Sequence, residues 1–120
     1  MTSLELFDPS GVERVLCVVA HPDDMEYGGS AAVAEWTSRG IEVSYLLLTA
    51  GEAGIRDLDP ADCGPLRAAE QRAACDVVGV SSLTILDLPD GLLEHSIETR
   101  ARIAHEIRRT RPDAIVTMTW

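Results

Sequence analysis

The strongest constraint on the fold is a repeated switch between short, continuously apolar runs and segments with helical spacing. Four runs are apolar enough and short enough to be buried strands: 14–20, 41–48, 82–87 and 114–118. The segments between them carry apolar side chains at helical spacing: 28–39, 65–78 and 96–109. Such alternation is typical of a parallel sheet covered by helices on both faces. We therefore predict a Rossmann-like, three-layer α/β/α domain with strand order 3-2-1-4.

Glycine and proline indicate where the predicted helices begin and end. Gly40 follows the first helix as a C-terminal cap, and Pro65 suits the first position of the second helix. This start leaves residues 50–64 as one long, acidic loop, which is either a lid or a solvated connection. Its position after the second strand favours a lid. In the third helix, Ile97, Ile103 and Ile107 are expected to face the core.

Composition excludes several classes of function. The 120 residues carry a formal net charge of -10, which argues against a nucleic-acid partner. Every basic residue is Arg, so a phosphate-binding loop ending in Gly-Lys and a Schiff-base lysine are both excluded. The longest apolar run, 15–20, cannot span a bilayer, and the beginning of the sequence has no signal-peptide pattern. We therefore expect a cytoplasmic protein without a membrane span, and a homo-oligomer stays open.

The three cysteines indicate neither a disulfide framework nor a thiolate metal site. They are odd in number, and none forms a Cys-x-x-Cys pair. Cys17 lies inside the first apolar run, where it is expected to be a small buried side chain.

Polar residues concentrate directly after the first strand. His21, Asp23, Asp24 and Glu26 lie within six residues, where the order of a 3-2-1-4 sheet reverses and ligands bind. Imidazole and carboxylate are zinc ligands, and Pro22 holds His21 extended. His21 and Asp24 could converge on one ion, while Asp23 could take a proton from the water that the ion activates. A plainer interpretation is also open here, because Asp is an ordinary turn and helix-capping residue.

The sequence resembles a known family in four places. Ala20-His21-Pro22-Asp23-Asp24 is similar to the signature of the LmbE-like, PIG-L-type zinc deacetylases, which remove acetyl groups from N-acetylglucosaminyl conjugates. Three weaker motifs support the resemblance: Thr49-Ala50-Gly51-Glu52, Arg67-Ala68-Ala69-Glu70 and Pro89-Asp90-Gly91. The resemblance covers the whole chain, although Met25 separates Glu26 from the paired aspartates.

The resemblance implies a role for each matching residue. It implies His21 and Asp24 as ligands of zinc or another divalent metal, and Asp23 as the general base. It implies that Arg67 and Asp90 contact sugar hydroxyls. Glu26 receives no catalytic role and could orient the ligands. The substrate would be a small N-acetylated amino-sugar conjugate.

Two parts of the family's site have no counterpart in these residues. The third metal ligand and the histidine that assists the leaving group are expected after the fourth strand, beyond Trp120. His95 and His105 are the remaining histidines, and an isolated helical His is a poor candidate ligand. We therefore expect residues 1–120 to be the N-terminal portion of one deacetylase domain, inactive or weak by itself. The alternative is a metal-free Rossmann-like module that binds a small molecule or a subunit.

Overall fold

The computed structural model describes residues 2–119, in which strands and helices alternate along the chain. The strands are β1 (Arg14–Val19), β2 (Glu42–Leu47), β3 (Ser82–Ile85) and β4 (Ala114–Thr117). The helices are α1 (Glu26–Ser38), α2 (Pro60–Val78) and α3 (Ile97–Thr110). All strand pairs are parallel, and the order in the sheet is β3-β2-β1-β4. The predicted fold class and strand order are confirmed.

The sheet is buried on both faces because residues 15–19 of β1 and 43–47 of β2 are apolar, except for the buried Ser44. On one face, Val15 and Tyr45 pack with Val33 of α1 and Cys75 of α2. On the other face, the next residues along the strands pack against α3; these are Leu16, Val18 and Leu46. Successive side chains of a strand point to opposite faces, so a continuous apolar run serves two helical layers. Cys17 is fully buried, as expected.

The second helix begins earlier than predicted, and the preceding loop is correspondingly shorter. Asp59 caps α2 by accepting a hydrogen bond from the Ala61 N–H at 2.8 Å, and Pro60 takes the first position. Pro65 therefore lies inside the helix instead of opening it. Asp59-Pro60 and Gly64-Pro65 are both plausible helix starts. The structure uses the first of them, and the extra helical turn buries Cys63.

One predicted core position in the third helix is wrong. Ile97 is 84% exposed, because Ser96 is the N-cap and Ile97 begins the first turn on the solvent side. Ile103 and Ile107 do pack against the core cluster of Leu16, Val18 and Leu46. Helical spacing alone does not say where along a helix contact with the sheet begins.

Among residues 2–119, no helix combines the length and the apolar character needed to cross a lipid bilayer.

The central position of β2 makes its packing testable. Leu46 is fully buried, so Leu46→Ala is expected to lower the free energy of unfolding by about 2–5 kcal/mol through lost burial and a residual cavity. Val77→Ala on the exposed side of α2 is the control and should change it by less than about 0.5 kcal/mol. Urea unfolding of both variants measures the difference. Equal costs for the two variants would contradict the described core.

Candidate metal centre at the carboxyl ends of the strands

Four segments converge beyond the carboxyl ends of β1, β2 and β3. The turn after β1, the loops after β2 and β3, and one face of α2 enclose a cleft of about 310 Å³. Its lining comprises His21, Asp23, Asp24, Ala53, Gly54, Arg67, Asp90 and Gly91. The structure thus brings together all five residues that the sequence singled out for a site.

A second cavity, of about 400 Å³, lies beside α3 and is larger but chemically poorer. Leu48, Leu93 and Ile103 dominate it, and His95 is its one histidine among the described residues. Glu94 is its one carboxylate, whereas three aspartates line the smaller cleft beside His21, so the smaller cleft is the candidate site. His105 is exposed on α3 and lines neither cavity.

Asp24 folds back onto the end of β1 and does not cap α1. Its Oδ2 accepts hydrogen bonds from the N–H groups of Ala20 at 3.1 Å and His21 at 2.8 Å. The residue at the N-cap of α1 is Met25, and no side chain caps that end of the helix. The helix-capping part of the plainer interpretation is therefore wrong, whereas its turn part holds, because Asp24 closes the turn after β1. The same Oδ2 lies 3.4 Å from His21 Nδ1.

Asp90 approaches the other side of the His21 ring. Its Oδ1 lies 3.0 Å from His21 Nε2, and its Oδ2 accepts a hydrogen bond from the Ala53 N–H at 2.9 Å. The Asp90 N–H donates in turn to Glu52 Oε1 at 2.9 Å. These bonds link the loops after β2 and β3 and orient the imidazole of His21. The Asp90 side chain is only 7% exposed, so water competes little for them.

Asp23 is held with its carboxylate at the surface of the cleft. Its φ of 70° lies in the left-handed region, which Asp tolerates better than most residues. The Asp23 side chain is 78% exposed and accepts a hydrogen bond from Arg67 Nη2 at 3.1 Å. The same Arg67 nitrogen donates to the Pro22 carbonyl at 3.1 Å. Arg67 therefore binds both the backbone and the side chain of this turn.

The loop after β2 is shaped around the Arg67 guanidinium. Arg67 Nη1 donates to the Gly51 carbonyl at 2.8 Å, and the buried Thr49 hydroxyl accepts a hydrogen bond from the Gly51 N–H at 3.0 Å. Gly51 has a φ of 63°, and a Cβ at Gly51 or Gly54 would overlap the guanidinium. Only glycine allows this close approach.

Gln71 is a contributor to the site that the sequence did not indicate. It is buried on α2 one turn after Arg67, and its Oε1 accepts a hydrogen bond from the Asp23 N–H at 2.8 Å. Its Nε2 donates to Glu26 Oε1 at 2.6 Å. The other oxygen of Glu26, Oε2, is buried without a hydrogen-bond partner among residues 2–119. No motif marks a glutamine for this role, because its partners lie about 45 residues away.

Two of the three cysteines, Cys17 and Cys75, are poor metal ligands because they are buried. Burial raises the pKa of Cys17 to about 12, and burial likewise raises the pKa of Cys75. Both thiols are therefore protonated at neutral pH, whereas a metal ligand is a thiolate. Burial also raises the pKa of Tyr45, and the charge of Glu26 adds to the effect.

Imidazole and carboxylate are the donors that remain for a cation. The cleft holds three aspartates against one arginine, and His21 Nδ1 faces Asp24 Oδ2 across 3.4 Å. Within residues 2–119, no cluster of three His, Cys, Asp or Glu side chains is arranged to hold a metal ion. The part of the chain that the structure describes therefore supplies two candidate donors for a cation, His21 Nδ1 and Asp24 Oδ2.

Comparison with known proteins places the chain in a family. The PIG-L family, described as GlcNAc-PI de-N-acetylase, matches residues 16–119. The chain belongs to the PIG-L family. The matched range includes all four motifs on which the sequence resemblance rests.

Relatives of this PIG-L chain are named as deacetylases of N-acetylglucosamine-type substrates. Diacetylchitobiose deacetylase of Thermococcus kodakarensis is 34% identical over 107 residues, covering 88% of this chain and 40% of that protein. 1D-myo-inositol 2-acetamido-2-deoxy-alpha-D-glucopyranoside deacetylase of Kineococcus radiotolerans is 32% identical over 150 residues, covering 98% and 41% respectively. The chain thus spans about two fifths of the length of these two relatives.

Solved structures share the fold of the PIG-L chain. N,N'-diacetylchitobiose deacetylase from Pyrococcus horikoshii superposes with a TM-score of 0.85 at 27% identity, covering 89% of this chain and 41% of that chain. GalB, a 4-carboxy-2-hydroxymuconate hydratase from Pseudomonas putida, superposes with a TM-score of 0.78 at 24% identity, covering 86% and 45%. The second likeness shows the fold alone, so the fold by itself does not determine the reaction.

The fit between Gly51 and Arg67 can be tested with a matched pair of glycines. Gly51→Ala is expected to destabilise the fold by about 1–3 kcal/mol, because alanine is strained at positive φ and its Cβ displaces Arg67. Gly28→Ala in α1 meets no atom within 4 Å and should be neutral or stabilising by up to about 1 kcal/mol. Thermal unfolding of both variants measures the contrast. Equal tolerance at the two positions would contradict the described loop.

Proposed function

We propose that this chain contributes to a metal-dependent hydrolase that removes the acetyl group from an N-acetylglucosamine-type conjugate. The observation that carries the proposal is the 3.4 Å approach of His21 Nδ1 to Asp24 Oδ2 inside a cleft that also presents Asp23. The names of the relatives support the reaction and the class of substrate.

Zinc fits the two donors. Ligand atoms about 2.0–2.1 Å from a tetrahedral zinc ion lie about 3.3–3.4 Å from each other. The separation of His21 Nδ1 and Asp24 Oδ2 falls within that range. Asp90 beside His21 Nε2 suits the tautomer that carries its proton on Nε2, which leaves Nδ1 with a free lone pair. A lone pair and a carboxylate oxygen repel at this distance, and a divalent cation between them removes the repulsion. Another divalent metal would satisfy the same donors.

Asp23 acts as the general base in this proposal. Its carboxylate stands at the surface of the cleft, next to the ligand pair in sequence, where a water molecule has access. As the water oxygen adds to the acetamide carbon, Asp23 takes the proton that the water loses. The carbon–nitrogen bond then breaks as the nitrogen takes a proton from the acid proposed to follow β4, which leaves acetate and the amine. A bound zinc ion would lower the pKa of the attacking water and polarise the acetamide carbonyl. Arg67 keeps Asp23 at the cleft through its hydrogen bond to Oδ2.

Arg67 and Asp90 are proposed to contact the sugar. Both line the cleft, and both use only part of their hydrogen-bonding capacity on the protein. A guanidinium has five N–H donors, and each carboxylate oxygen can accept two hydrogen bonds. The unused donors and acceptors suit the hydroxyl groups of a pyranose.

The third metal ligand is proposed to follow β4. Strand β4 pairs in parallel with β1, with Thr117 opposite Val18, so its carboxyl end lies at the same edge of the sheet as His21. The resemblance assigns a metal ligand and the histidine that assists the leaving group to the residues that follow this strand. We therefore propose residues 1–120 as the N-terminal portion of one deacetylase domain, inactive or weak alone. The three free, buried cysteines fit a reducing compartment, and we propose the cytoplasm.

Zinc affinity and turnover separate the proposed roles. In the complete protein, Asp24→Ala is expected to weaken zinc binding by at least about 10–100-fold, because a ligand is lost. Asp23→Ala should leave the zinc Kd within about threefold and lower the turnover of an N-acetylglucosamine conjugate by about 10²–10⁴-fold. Chelator competition measures the affinity, and amine release measures the turnover.

Asp57→Ala is the matched control, because Asp57 is exposed on the loop after β2 and does not line the cleft. Asp24→Asn, which can still accept the two N–H groups, separates loss of a ligand from loss of the turn. Full zinc binding and full turnover in the Asp23 and Asp24 variants would refute the assignment. Stable folding with no metal bound to the parent protein would favour a metal-free binding module.

A further inference from the structure

Gln71 joins the turn after β1 to helix α1. The amide oxygen accepts the Asp23 N–H at 2.8 Å, and the amide nitrogen donates to Glu26 Oε1 at 2.6 Å. Gln71 is 3% exposed, so water does not compete for these bonds. The side chain thus fixes the backbone of Asp23 relative to Glu26, three residues further on.

The two bonds have a defined polarity that only an amide satisfies. The acceptor end of Gln71 faces a backbone N–H, and its donor end faces a carboxylate. A glutamate at position 71 would keep the first bond and place two carboxylates against each other. Exchanging the two side chains, with glutamine at position 26 and glutamate at position 71, would restore both bonds. The carboxylate at position 71 would then accept hydrogen bonds from the Asp23 N–H and from the amide at position 26.

Asp23 needs such a restraint more than its neighbours do. Its φ of 70° lies in a sparsely populated region for a residue with a side chain. Gln71 holds its N–H, while Arg67, one turn earlier on α2, holds its carboxylate and the Pro22 carbonyl. One face of α2 therefore sets both the backbone and the carboxylate of Asp23.

The two metal-ligand candidates are held by different bonds. Asp24 is fixed by the N–H groups of Ala20 and His21, and the His21 ring is fixed by Asp90. None of these bonds includes Gln71. Loss of Gln71 can therefore disturb Asp23 and leave the ligand pair in place.

We propose that Gln71 is a positioning residue that holds Asp23, through its backbone N–H, in the orientation that the general base requires. The proposal rests on the proposed function of Asp23. It predicts that the base and the metal ligands respond separately to substitution of Gln71.

The test compares Gln71→Leu, Gln71→Glu and the exchange Glu26→Gln with Gln71→Glu in the complete protein. Both single variants are expected to lower kcat by about 10–100-fold, the range typical of residues that orient functional groups. KM and the zinc Kd should stay within about threefold of the parent. The exchange variant should recover kcat to within about fivefold. Arg72→Leu, at the exposed neighbour on α2, is the control and should leave kcat unchanged.

Amide hydrogen exchange measured by NMR provides a readout that needs no catalysis. In Gln71→Leu, the Asp23 amide should exchange at least about tenfold faster, while the Ala20 and His21 amides keep their protection. Unchanged exchange at Asp23, or unchanged kcat, would overturn the proposal. A parallel loss of kcat, zinc affinity and thermal stability, without recovery in the exchange variant, would overturn it in favour of a purely structural role. A different result would separate the two proposals. If Asp23→Ala keeps full turnover while Gln71→Leu still speeds hydrogen exchange at the Asp23 amide alone, the proposed function fails and the positioning of Asp23 stands.

Discussion

The site depends on one folded-back carboxylate. Asp24 Oδ2 accepts the N–H groups of Ala20 and His21 where β1 leaves the sheet, and this closes a turn of only five residues. Bonds of this kind, from N–H groups to a charged acceptor, are stronger than neutral ones. The turn brings His21 Nδ1 to 3.4 Å from the same oxygen and leaves Asp23 in a left-handed conformation. The proposed ligand pair and the proposed base are therefore two consequences of one local structure, which the buried strand β1 holds in position.

The rest of the fold supports this turn from three directions. The loop after β3 contributes Asp90, whose two oxygens bind the His21 ring and the loop after β2. Helix α2 contributes Arg67 and Gln71 at a spacing of one turn, which directs both side chains to Asp23. Strand β4 closes the other side of β1. Because strands of a parallel sheet end at the same edge, residues far apart in sequence meet without a long loop.

The sequence predicted the features that arise from local patterns. Continuous apolar runs indicated the strands, and the buried pair of Val15 and Leu16 shows why both faces had to be covered. The grouping of His21 with Asp24 was also readable, because they are only three positions apart in the sequence. The start of α2 at Pro60 could not be predicted, because Pro60 and Pro65 are equally good first residues of a helix. The helix begins at Pro60 because the turn between them is buried at Cys63 and Gly64. Gln71 could not be predicted either, because its function comes from contacts with Asp23 and Glu26 that only the packed structure creates.

The central claim is that His21 and Asp24 together hold a zinc ion through nitrogen and oxygen. X-ray absorption at the zinc edge of the metal-loaded, complete protein tests it most directly. The account predicts only nitrogen and oxygen neighbours at about 2.0–2.2 Å, with an imidazole contribution that decreases in His21→Ala. A sulfur neighbour at about 2.3 Å would contradict the account, as would an imidazole contribution that His21→Ala leaves unchanged.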